Sequence, residues 1–77
     1  MRVQIRRFAM LRQYGPPGED PTALDVPQGT SAADLLARMG IPTGVDTVIL
    51  VNGRHAVGQT PLAEGDVVTL FPPVEGG

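Results

Sequence analysis

At 77 residues the chain is one small domain, and a domain of that size buries only about 60% of its unfolded surface, which leaves little room for a catalytic cavity and argues against a stand-alone enzyme. No cysteine occurs, so disulfides, thiolate nucleophiles and zinc–thiolate or iron–sulfur sites are excluded. All six basic residues are arginine, so no side-chain amine is offered to an acyl donor, and the net charge of −2 gives no general attraction to nucleic acid or to an anionic membrane.

The first predicted element is Arg2-Val3-Gln4-Ile5-Arg6, whose polar–apolar alternation is that of a strand with one face on a core and its arginines toward solvent. Phe8 to Leu11 is a short apolar run closed by Arg12. It is too short for the apolar stretch of a secretory leader, and no segment approaches the length of a membrane span, so a soluble cytoplasmic protein is expected. Tyr14 to Pro21 is dense in turn formers and reads as an exposed loop. Thr22, Leu24 and Val26 then alternate as a second strand, placed to return as a hairpin partner of the first.

Ser31 can cap a short helix, with Asp34 three residues on near the positive end of the dipole. Ala32, Leu35, Leu36 and Met39 fall at helical spacing as its buried stripe, and Gly40 and Pro42 stop it. Thr47 to Val51 is an apolar strand. Asn52-Gly53 follows, the pair that suits a type I′ hairpin turn because both central residues need positive φ, and then a short strand from Arg54 to Val57. A turn at Glu64-Gly65-Asp66 leads into the last strand, Val67 to Phe71.

The order β-β-α-β-β, with the helix carrying a crossover that sets the last strand parallel to the first, defines an α+β roll: a mixed sheet with one main helix on one face. This is the β-grasp arrangement of ubiquitin-like proteins. The whole chain, residues 1–77, reads as that single domain, with 72–77 a flexible tail.

The sequence closes on Pro72-Pro73-Val74-Glu75-Gly76-Gly77. Glycine has no Cβ, so a carboxyl group on Gly77 is unshielded and its backbone can thread a narrow channel. The two prolines favour an extended exit, which lowers the ordering entropy of inserting the tail into a partner. Six residues reach on the order of 20 Å. The plain alternative is a frayed polar end.

Phe8-Ala9-Met10-Leu11-Arg12, Val51-Asn52-Gly53, Thr60-Pro61-Leu62-Ala63-Glu64-Gly65-Asp66-Val67 and Phe71 to Gly77 together resemble the MoaD/ThiS family of ubiquitin-like sulfur carriers. The first and last of these elements are most similar to its MoaD branch. The chain departs from the MoaD pattern in its short helix and in the Met39-Gly40-Ile41-Pro42 exit.

The resemblance implies a co-substrate rather than an enzyme. A partner adenylyltransferase of the ubiquitin-activating type uses ATP to convert the Gly77 carboxylate to an acyl-adenylate. A sulfur donor, such as a cysteine desulfurase or a rhodanese, then displaces AMP to leave a thiocarboxylate. That end would be inserted into a larger, MoaE-like subunit of molybdopterin synthase for molybdenum cofactor biosynthesis. No permanently bound cofactor or metal is implied.

The candidate reactive residues are therefore Gly77 and Gly76, and the candidate partner-binding residues are Phe8, Leu11, Phe71, Pro72, Pro73, Val74 and Glu75. Phe8, Leu11 and Phe71 are open between core and partner surface. Phe8 and Phe71 end adjacent strands, where an apolar patch around the root of the tail could dock a partner, with Arg12 at its rim. His55, the one histidine, reads as an exposed strand residue rather than a base. Asp66 reads as a turn former through backbone hydrogen bonds. Two alternatives remain: a modifier joined through Gly77 to lysines of target proteins, and a carrier for another route such as thiamin thiazole or tRNA thiolation. A third class, a non-covalent β-grasp binding module, would have an inert tail.

Overall fold

The computed structural model describes residues 1–18 and 20–73. Five strands form one mixed sheet: β1 (Arg2–Arg7), β2 (Thr22–Asp25), β3 (Val48–Val51), β4 (Arg54–Ala56) and β5 (Val67–Phe71), in the order β2-β1-β5-β3-β4. β1 pairs antiparallel with β2 and parallel with β5, while β3 pairs antiparallel with both β4 and β5. The expected parallel join of the first and last strands is thus the centre of the sheet. It requires the crossover that carries α1 (Ala32–Arg38).

Alternation along the strands decides which side is packed. Val3 and Ile5 of β1, Val68 and Leu70 of β5 and Ile49 of β3 are buried together with Ala32, Leu35 and Met39 from the helix side. Each fully buried Leu, Ile or Val contributes roughly 1.5–3 kcal/mol. Leu36, expected in the same stripe, packs only half-buried at its flank.

The local signals act as their chemistry requires. Ser31 Oγ accepts from the Asp34 amide at 3.2 Å while the Asp34 carboxylate accepts from the Ser31 amide at 3.1 Å, a reciprocal capping box. The Ser31 amide and then its hydroxyl hold the Asp34 carboxyl below its ordinary pKa. Asn52 and Gly53 both take positive φ, 53° and 83°, and close the β3–β4 hairpin.

Asp66 shapes the turn as expected and does more. Its carboxylate accepts from the Ala63 amide at 2.8 Å and from Asn52 Nδ2 at 2.9 Å. Asn52 Oδ1 in turn accepts from the Val67 amide at 2.9 Å. The side chain of the hairpin turn therefore clamps the start of β5. At the same end of the sheet, Arg2 on β1 forms a 3.0 Å ion pair with Asp25 on β2.

Candidate functional site at the exit of β5

Because β1 and β5 run parallel as neighbours, both end at the same edge of the sheet. Arg7 lies opposite Leu70, and the Phe8 amide donates to the Leu70 carbonyl at 3.0 Å. Val68 and Leu70 face the core, so Val67, Thr69 and Phe71 occupy the opposite face, where all three are half-buried. Pro72 and Pro73 follow, one half-buried and one exposed. Neither has an N–H to donate, so the ladder cannot continue past Phe71. Val74, Glu75, Gly76 and Gly77 lie outside the described residues, as does most of the expected tail.

The three apolar candidates separate. Phe8 is 39% exposed, and the neighbouring Met10, which the sequence did not single out, is 45% exposed. Phe71 is half-buried. Leu11 is corrected: it is fully buried in the core and offers no contact surface. The reason is a 3-10 helix, Ala9–Gln13, entered through Ala9 at a φ of 54°, which turns Leu11 inward. Such a torsion costs a residue with a Cβ roughly 1–2 kcal/mol and persists where packing enforces it.

Arg6 sits over the Phe8 ring at 5.6 Å from its centroid, near enough for cation–π attraction. With Arg12, Asp20 and Pro21 these residues line an open depression of about 330 Å³ beside the root of the tail. The patch thus combines an exposed aromatic with exposed guanidinium groups.

Arg7 has no counterpart in the sequence expectations. It is 3% exposed, on the core-facing side of β1. Its Nη1 donates to the carbonyls of Tyr14 and Pro16, the latter at 3.0 Å, and its Nη2 donates to Thr22 Oγ1 at 3.1 Å. Its Nε lies 3.5 Å from Asp20 Oδ1 and has no hydrogen-bond partner among the described residues. Asp20 also accepts from the Arg7 amide at 3.0 Å and lies 4.0 Å from Arg12. Parity with Val3 and Ile5 was the signal that could have placed Arg7 inward, had the strand been extended by one residue.

His55 is exposed on edge strand β4, opposite Leu50. Among the described residues no group of three or more histidine, aspartate or glutamate side chains could hold a metal ion. Among the same residues no helix is long and apolar enough to cross a membrane.

A five-stranded mixed sheet with one helix, whose last strand runs beside the first and ends at an apolar and cationic edge, defines a β-grasp domain of the ubiquitin-like class. The sequence profile of the ThiS family matches residues 8–77, and the chain belongs to that family. Among solved structures it is similar to putative molybdopterin converting factor, subunit 1, from Pyrococcus furiosus, at 32% identity and a TM-score of 0.70 over 95% of this chain and 98% of that one. It is also similar to a chain from the complex of subunits 1 and 2 of molybdopterin-converting factor from Helicobacter pylori 26695, at 30% identity and a TM-score of 0.62 over the full length of both. Small archaeal modifier protein 1 of Haloferax volcanii shares the fold, with a TM-score of 0.71 at 23% identity over 95% of this chain and 98% of that one. A comparison with curated proteins finds no match.

Proposed function

We propose that this chain is a sulfur carrier whose Gly77 carboxyl is adenylated and converted to a thiocarboxylate, and that it serves as the small subunit of a molybdopterin synthase. The observation that carries the reading is the family match through residue 77, joined to a fold that brings the last strand out beside Phe8 and hands it to Pro72-Pro73. An unactivated carboxylate is a poor electrophile, and adenylation supplies the leaving group. Sulfide equivalent from the donor then forms the C–S bond as AMP departs. The likeness to structures described as molybdopterin converting factor subunits supports a MoaE-like larger subunit as recipient. The catalytic groups belong to the partners: the adenylyltransferase supplies ATP chemistry, and the carrier supplies a recognisable surface and a reachable end.

Intact mass spectrometry after incubation with ATP, the adenylyltransferase and a sulfur donor tests this directly. A gain equal to exchange of one oxygen for sulfur, located at Gly77, is expected. Addition of one residue after Gly77 should abolish it without unfolding the domain. Normal loading of that extended variant would overturn the reading, and an adduct to a protein lysine would select a modifier instead.

A further inference from the structure

A guanidinium in the packed face of β1 is the least expected choice this sequence makes. Val3, Ile5 and Arg7 share one face, and the first two are apolar and buried. Burying a charge is costly, and a well-packed apolar side chain in its place is often at least as stabilising. What the arginine adds is direction. A fork of donors can hold several acceptors in one arrangement, which an apolar chain cannot.

Those acceptors are all in one place. Through Tyr14, Pro16, Asp20 and Thr22 the side chain gathers the loop that joins the 3-10 helix to β2. The main chain of the same residue reaches the neighbouring segment: its carbonyl accepts from Arg12 Nε at 3.2 Å, and the Tyr14 amide closes back on Leu11 at 3.2 Å. The Gly15 amide fixes the far side of the loop to Met39 at 2.9 Å. A side chain at position 15 would meet Met39 at 3.0 Å and Arg7 Nη1 at 3.1 Å, so the loop closes tightly over the guanidinium.

We infer that Arg7 is a positioning residue for recognition by the adenylating partner: its buried guanidinium fastens Tyr14, Pro16, Asp20 and the start of β2 at Thr22 to the Phe8–Arg12 segment, so that Phe8, Met10 and Arg12 are presented in one arrangement beside the exit of β5. This rests on the carrier reading for the identity of the partner. Arg7 is itself buried beneath the loop, so its effect is on encounter and affinity rather than on the chemical step.

The test is ATP–pyrophosphate exchange by the adenylyltransferase with this chain as the varied substrate, comparing wild type with Arg7→Met and Thr22→Val. Circular dichroism establishes which variants fold. Arg7→Met should raise KM about tenfold and Thr22→Val about threefold, each with kcat unchanged. An unchanged KM in the folded variants, or a loss confined to kcat, overturns the inference. If Arg7→Met fails to fold, Thr22→Val, which keeps the cation and removes one acceptor, decides by the same criterion.

Amide hydrogen exchange separates this result from failure of the carrier reading. Should wild type not be adenylated at all, the carrier reading falls. The fastening is then upheld by exchange about tenfold faster at Leu11, Tyr14 and Gly15 with the sheet amides unaffected. It is overturned by no change there, or by an equal rise throughout the sheet.

Discussion

At its start β5 is gripped by side chains, with Asn52 Oδ1 on the Val67 amide and Asp66 bound to both Asn52 and Ala63, whereas at its end no side-chain hydrogen bond or ion pair involves residues 68–73 among the described residues. The gripped end is polar and tied to the hairpin turn. The free end is apolar and proline-rich, beside an exposed Phe8. The difference divides the labour within one strand. Register is set where the chain enters, so that the exit emerges in a fixed place without side-chain ties of its own.

The largest blow to this arrangement is at the core both ends share. Leu70→Ala, at a fully buried position, should lower unfolding free energy by ~2–5 kcal/mol in urea titrations. A loss below about 1 kcal/mol would mean that the two ends are not joined through that core.

Asp66→Ala attacks the gripped end alone, removing two hydrogen bonds, and should cost ~1–2 kcal/mol. Chemical shifts on β5 should move most at Val67 and least at Phe71. An equal disturbance along the strand would erase the contrast. Ser31→Ala, which loosens the helix start tied to residues 60–62 that precede the turn, should cost ~1 kcal/mol by thermal unfolding.

Asp34 sharpens that last test through pH. Its folded-state pKa lies below the unfolded one because of the Ser31 amide and hydroxyl, so the unfolded chain binds more protons in acid. Stability from this group is present above the ordinary carboxylate range and is lost as pH falls through the depressed value. In Asp34→Asn that part of the acid dependence should vanish, which paired unfolding curves across the acid range would detect. Phe8→Ala probes the free end: stability should change by no more than about 0.5 kcal/mol, while the KM for adenylation rises. A large stability loss there would show that the exit is structural after all.

Much of the scaffold was legible because its signals are local. Ser31 with Asp34, the Asn52-Gly53 pair and the alternation of Val3 with Ile5 each impose one geometry on their neighbours whatever the rest of the chain does. What could not be read depends on contacts across the sequence. Arg7 is buried only because Tyr14, Pro16 and Thr22 come back to meet it, and charge alone argues for the surface. Leu11 and Met10 look equivalent in an apolar run, and the left-handed turn at Ala9 sends one inward and leaves the other outside. Asn52 was legible as a turn residue but not as the clamp on Val67, which needs β5 at its side.

The strand order has a kinetic corollary. β2 joins the sheet through β1, and β4 joins it through β3, while β5 alone among the described strands touches both halves. Neither half has its inner edge covered until the last strand is in place, and the pairing of β1 with β5 unites residues from opposite ends of the chain. Closing so long a loop is slow and entropically costly, and it is repaid only when both hairpins dock on the same strand. A single cooperative unfolding transition is therefore expected. A half-assembled species would offer β5 only one of its two neighbouring strands, so a correctly placed exit accompanies a finished fold.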